Sequence, residues 1–333
     1  MAITLAEAKN NAQTDYDPQV IDEFRKESGI LDTLVFDDAV NPSGGGNTLD
    51  YGYRRLTTQA TASSRAINTE YTSQNVTTTK VTTTLAIMGG AFDVDRVTAK
   101  VGPAASGAVA LNMQQKIKAT VTDFQDELIN GDIAVDANGF DGLDKLLTGT
   151  STEFRATSVT DWSNLDTSAG TAHQAIDALD EFLSLLDGSP TVLVGNQKAL
   201  ARVRAIVRRT SMYVREPIQD LVGQNGRPIS REMYGGLLLI DAGDKPGAST
   251  PIIPIESRTI GTAQTNLTDL YAYRVGLDGF HGITTADGQL VQSWLPDFTT
   301  SKAVKTGEVE LVAGVALKAT KAAAVFRNIK VAP

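Results

Sequence analysis

The chain has 333 residues, 41% of them hydrophobic and 21% charged, with a formal net charge of −9. That mixture suits one large or two ordinary globular domains and excludes a wholly disordered chain; no apolar run reaches the length of a membrane-crossing helix. Cysteine is absent and only His173 and His281 are present, which excludes disulfides, thiolate metal centres and cysteine nucleophiles, and the acidic balance argues against a protein that grips nucleic acid through many phosphates.

Met1-Ala2-Ile3-Thr4-Leu5 has neither a charged n-region nor an apolar h-region, so no secretory signal is read there and residence in a cytoplasm is expected. Asp17-Pro18 followed by Val20, Ile21 and Phe24 predicts a capped helix that Gly29 stops, and Ile30, Leu31, Leu34, Val35 and Phe36 add an apolar patch. Asn41-Pro42-Ser43-Gly44-Gly45-Gly46 is a loop and a candidate hinge. From 47 to 88 the pattern turns to strand. Leu49, Tyr51 and Tyr53 alternate with polar residues, and Asn75 to Leu85 is almost continuously β-branched and threonine-rich. Between these arms, residues 58–64 are small and polar. A long two-armed hairpin follows, each arm of about eleven residues reaching roughly 35 Å. Such a ribbon is marginal alone in water, so it needs another surface to lie on.

Val109, Met113, Ile117, Val121, Phe124 and Leu128 recur at helical spacing. They predict one helix from about Ala104 to Asn130, about 40 Å long, ended by Asn130-Gly131 as a left-handed cap. Residues 132–170 are rich in turns. An α/β pattern follows: a helix near 172–186, a strand at 191–194, an Asn196-capped helix ending in Arg208-Arg209, and a strand at 237–241 after Gly235-Gly236. Shorter strands are expected near 251–255 and 269–275, and alternation at Val309, Leu311, Val315, Leu317, Val325, Ile329 and Val331 predicts strands at the chain end.

Catalytic motifs are missing. No phosphate-binding glycine loop and no G-x-S-x-G elbow occur. Asp136, Asn138 and Gly139 fit a calcium loop, but Ala134 and Lys145 stand where its strongest ligands belong, so the stretch reads as a turn. Asp123, Asp126 and Glu127 read as a solvated helix face, His281 between glycines as a turn residue at a domain edge, and His173 as surface. No catalytic, cofactor or metal residue is assigned, and an enzyme is not expected. Arg208, Arg209 and Arg215 form a basic cluster, read first as helix-end complementation and ordinary surface, and otherwise as a subunit contact around a symmetry axis or a weak contact with nucleic acid. Arg54, Arg55 and Arg65 on the ribbon call for partner carboxylates.

Five segments, in this order, resemble Hong Kong 97-type major capsid proteins of tailed bacteriophages: Phe124-Gln125-Asp126-Glu127-Leu128-Ile129-Asn130-Gly131-Asp132, Phe140-Asp141-Gly142-Leu143, Tyr234 to Asp244, Gly276 to Ile283 and Ala323 to Ile329. The resemblance implies an α+β fold with an N-terminal arm at 1–40, an extended β-hairpin E-loop at 47–88, a peripheral domain with the spine helix at 89–150, an axial domain at 160–300, and return strands of the peripheral domain at 301–333. It implies self-assembly as hexamers and pentamers into an icosahedral virion shell around double-stranded DNA, built in the bacterial host cytoplasm without sequence-specific DNA binding or a membrane. A separate scaffold protein, a portal and an optional decoration protein are the further partners, since only about forty residues precede the hairpin. Tyr51, Tyr53, Arg54, Arg55, Arg65, Lys80, Arg208, Arg209 and Arg215 are the expected subunit-interface residues. Lys80 lies in the arm where some relatives carry a crosslinking lysine; no crosslink is assigned. The competing readings are an encapsulin-like compartment shell and an α/β enzyme with a β insertion.

Overall fold

The computed structural model describes residues 29–40, 49–97, 103–165, 169–209, 214–222, 228–248, 250–286, 290–299 and 301–333, with side chains described outside 103–108, 169, 209, 214–222 and 228–232. The helix expected after Asp17-Pro18 and the glycine hinge at 44–46 lie outside the described residues. In chain order, α1 (Ile30–Thr33) and β1 (Phe36–Val40) precede the ribbon strands β2 (Asp50–Leu56) and β3 (Thr78–Thr84). Then come β4 (Ala86–Asp95), the long helix α2 (Pro103–Asn130), which is the one expected as the spine helix, α3 (Leu143–Leu147), β5 (Glu153–Phe154) and β6 (Thr160–Asp161). The α/β part holds α4 (Ala169–Ser184), β7 (Val192–Gly195), α5 (Gln197–Arg209), β8 (Val214–Val222), β9 (Pro228–Tyr234) and β10 (Leu237–Asp241). The chain closes with β11 (Glu256–Ile260), β12 (Thr262–Tyr273), β13 (Phe280–Thr285), β14 (Val291–Trp294), β15 (Val304–Leu317) and β16 (Ala323–Lys330).

Proline at the first position of α2 has no N–H to leave unsatisfied there, and the apolar stripe predicted for this helix is its packing face. Met113 packs with Phe92, Val94 and Val309 on the sheet below, while Phe124 and Leu128 enter the main core. The cap differs from expectation. Gly131 is not among the glycines with positive φ. It is required because a Cβ there would stand 2.2 Å from the Phe140 carbonyl oxygen and 2.5 Å from that of Glu127. Close approach of the returning loop, not a left-handed turn, selects the glycine.

Two large sheets share the load. A five-stranded sheet runs β1-β13-β15-β14, with β4 also on β15; the spine helix lies against β4 and β15. A nine-stranded sheet runs β5-β16-β12-β7-β10-β9-β8, with β11 on β12 and β6 on β16. Its central strands are buried on both faces, so they read as unbroken apolar runs rather than alternating ones. Val192, Val194, Tyr271, Tyr273, Ala323 and Val325 face the core shared with the spine helix. Leu193, Leu270, Ala272, Ala324 and Phe326 face α4 and α5, meeting Leu179, Phe182, Leu200 and Val203. Asn196 caps α5 as predicted, its Oδ1 accepting the Lys198 N–H at 3.0 Å.

The terminal stretch divides differently from the expected return strands. β15 belongs to the five-stranded sheet beside the spine helix, whereas β16 pairs with β12 in the nine-stranded sheet. β13 and β14, within the stretch 160–300, pair with β15 instead. The strand expected at 251–255 falls at Glu256–Ile260, and the hairpin β8–β9, which breaks into short polar-apolar pieces in the sequence, was not anticipated.

Candidate interaction surfaces

The ribbon is a separate two-stranded sheet, with β2 and β3 paired from Asp50↔Thr84 to Leu56↔Thr78. Seven paired residues span about 24 Å, shorter than the predicted arm. Beyond them threonine side chains continue the zipper: Thr57 and Thr79 hydroxyls lie 2.7 Å apart, and Thr61 donates to Gln74 Oε1 at 2.6 Å. Every residue from 56 to 80 is exposed.

Strand periodicity splits the predicted interface residues into two sets. Tyr51, Tyr53 and Arg55 share the inner face and serve as an anchor for the ribbon's base. Tyr51 Oη donates to Asp37 Oδ2 at 2.8 Å, and Tyr53 Oη donates to the Leu317 carbonyl at 2.8 Å. Arg55 donates to the Leu317 carbonyl at 2.7 Å and to that of Lys318 at 3.1 Å. The Lys318 ammonium lies 5.4 Å from the centre of the Tyr51 ring. Burial, reinforced by Asp37, pushes the Tyr51 hydroxyl up to about 12. These three residues therefore hold the ribbon to its own chain.

Arg54 and Lys80 form the second set. They are exposed and stand directly opposite each other on the outer face. Like charges in cross-strand register destabilise a ribbon, so an anionic partner would favour this pair. Arg65 instead folds the tip, donating to the Thr69 carbonyl at 2.9 Å and lying 5.3 Å from the Tyr71 ring. Arg208 is exposed at the end of α5; Arg209 and Arg215 stand in helix and strand, and their side chains are outside the described part.

His281 corrects another expectation. It lies in β13 rather than in a turn, is fully buried, and meets the Tyr51 ring edge-on at 5.9 Å. Neither ring nitrogen makes a hydrogen bond of good geometry among the described residues, and the Gly279 and Gly276 backbone contributes only weakly to its charge state. Burial first, then the neighbouring Lys318, lowers its pKa, so the neutral form is preferred. Gly282 beside it is fixed by packing, since a Cβ would meet the Phe36 ring at 2.4 Å. Asp37, Lys318 and His281 in this base were not legible as ribbon partners, because they come from strands distant in sequence.

A flat floor lies on the outer face of β4 and β15. Gly89 and Ala91 stand opposite Glu310 and Glu308, with Ile87 beside them, around a shallow cleft of about 280 Å³, and Asp93 continues the acidic edge. On the spine helix, Asp123 and Glu127 are not the fully solvated pair expected: both are partly buried, and desolvation raises both pKa values. The stretch 132–145 is a set of turns, as read, with Lys145 paired to Asp132 at 2.8 Å. Among the described residues, no group of three His, Asp or Glu is placed to hold a metal, and no helix is long and apolar enough to cross a membrane.

No family model matches the chain, and no curated protein matches it in sequence. Solved structures do. The chain is similar over 100% of its length to the SrpI encapsulin complex of Synechococcus elongatus PCC 7942, covering 98% of that chain with a TM-score of 0.61 at 15% identity. It is similar to the capsid of a native GTA particle with TM-score 0.61, 11% identity and coverage of 100% and 99%. A structure from Mycobacterium phage Adephagia gives TM-score 0.58, 13% identity and coverage of 100% for both chains. The resemblance to Hong Kong 97-type capsid proteins is thus borne out at the level of the fold.

Proposed function

We propose that this chain is a shell subunit that assembles with copies of itself into a closed icosahedral particle, and specifically that it is the major capsid protein of a tailed bacteriophage, enclosing double-stranded DNA in the virion. The observation that carries the reading is the ribbon: an anchored base and a distal stretch, 56–80, that is exposed along its whole length among the described residues. A closed shell needs contacts between different surfaces of identical copies that repeat until symmetry closes them. The ribbon and the acid-edged floor on β4 and β15 suit each other in this way. Arg54 and Lys80 supply positive charge to a partner's Asp93, Glu308 and Glu310, and the flat, small floor lets a ribbon lie close.

In this reading residues 1–40 act as the arm, 47–88 as the E-loop, and the two sheets as the peripheral and axial parts. Hexamers and pentamers, a scaffold protein, a portal and an optional decoration protein complete the assembly in the host cytoplasm. The full-length similarity to phage and GTA structures supports the capsid reading. The equal similarity to an encapsulin supports a protein-filled compartment as the second reading. Electron microscopy of the purified protein tests the shell, and the content of the particles separates the two readings. DNA inside after nuclease treatment favours the capsid, and a co-purifying enzyme favours the compartment. Deletion of residues 58–66 should leave a soluble, folded subunit with particle yield reduced at least about tenfold; normal particles from that deletion would refute the ribbon's role.

A further inference from the structure

The two helices on the outer face of the nine-stranded sheet have opposite charge. From Gly170 to Ser184, α4 carries Asp177, Asp180 and Glu181 and no lysine or arginine; α5 carries Lys198, Arg202, Arg204, Arg208 and Arg209 and no acid. Such segregation stabilises neither helix, since like charges three or four residues apart repel. Part of the charge is used within the chain: Asp180 accepts from Tyr234 Oη at 2.7 Å, and Arg202 donates to the Val331 carbonyl at 3.0 Å. Asp177 and Arg208 are both exposed and have no ion-pair partner among the described residues.

The acidic helix also borders a concavity. A cleft of about 490 Å³ lies between α4 and the β6 edge, with Asp161, Asp177 and Glu181 on its walls and Gln174 beside them. Among the described lining residues Arg155 is the single cation, 3.9 Å from Glu181, and Asp161, Asp177 and Glu181 outnumber it. Asp177 and Glu181 are one turn apart on the same helix face, a spacing of about 6 Å that a forked guanidinium can bridge. Arg208 does not line this cleft, so a contact between the two would join different patches of two copies, as a head-to-tail ring requires.

We propose that the α4–β6 cleft of one copy receives Arg208, at the basic end of α5, from a second copy, and that this contact joins neighbouring nine-stranded lobes around a ring. The inference rests on the shell reading and specifies one of its contacts. It is tested with the full chain by charge reversal. Asp177→Arg and Arg208→Asp, each alone, should lower particle yield at least about tenfold, read by sedimentation and electron microscopy, with the melting midpoint of the subunit unchanged. Combining the two should restore particles, because the pair is re-formed with its signs exchanged. Full assembly of either single variant, or failure of the well-folded double variant to recover, overturns this contact while wild-type particles leave the shell reading intact. A wild-type chain that never forms particles under any salt or scaffold condition overturns both.

Discussion

The ribbon and the β12–β16 pair are both antiparallel strands, and they are specified in opposite ways. In β12–β16 the charged groups and the Asn328 amide are answered within the chain. Arg327 donates to Asp144 and, at 3.0 Å, to Glu153, and it reaches Asp269 at 3.3 Å; Arg258 meets the same Asp269 at 2.7 Å. Asn328, with φ of 59°, gives its N–H to Asp269 at 2.9 Å and its side-chain amide to the Ala156 carbonyl at 3.0 Å. The left-handed backbone, which asparagine tolerates, sets a register shift that aims Asp269 inward. In the ribbon the base is held by its own chain and the tip by threonine and Arg65 bonds, while Arg54 faces Lys80 across the strands. A buried network that satisfies itself defines the subunit; an exposed strand pair of like charge is open to solvent and, in the shell reading, to a partner.

The strongest way to break this contrast is Asp269→Ala. Removing the carboxylate leaves two half-buried guanidinium groups facing each other, and breaking a buried ion pair costs about 3–5 kcal/mol. Chemical denaturation of the subunit should show that loss; a change under about 1 kcal/mol would mean the network contributes little.

Acid should act next, and at the ribbon's base. The folded state depresses the His281 pKa, so the unfolded chain binds this proton more readily. The stability that neutral His281 permits is fully present above its unfolded value, near 6.5, and is lost as pH falls through that value toward the folded one. Lys318 opposes the added charge and Asp37 favours it. Proteolysis within 57–77 should therefore quicken as pH is lowered from about 7.5 to about 5. In His281→Gln that His281-dependent increment should disappear; an unchanged pH response would remove this histidine from the account. The raised carboxyl groups of Asp123 and Glu127 work in the opposite direction, since their protonation on acidification relieves repulsion and desolvation.

The smallest effect on the isolated subunit should come from Arg54→Glu. Replacing a like-charged cross-strand pair by an opposite one stabilises the ribbon by about 0.2–1 kcal/mol. The same change should impair assembly, because it removes the charge offered to a partner's acidic floor. A variant that gains stability and still assembles normally would show that the outer face of the ribbon is not an electrostatic contact.

The chain's own sequence determined those features whose signal is local. The stripe from Val109 to Leu128 gave the spine helix because a helix repeats every 3.6 residues, and the threonine run from Thr77 to Thr84 gave a strand because branched Cβ atoms favour extended backbone. Asn196 marked a helix start, and the order of five segments pointed to the capsid-like fold that the solved structures share. Tertiary structure alone decided which partner each strand takes. It split β15 from β16 between two sheets, turned Tyr51, Tyr53 and Arg55 inward as anchors, and buried His281 beneath them. It also made Gly131 a matter of clearance from Phe140. Each of these depends on groups brought together from distant parts of the chain, and strand periodicity records which residues share a face but not which sheet that face will meet.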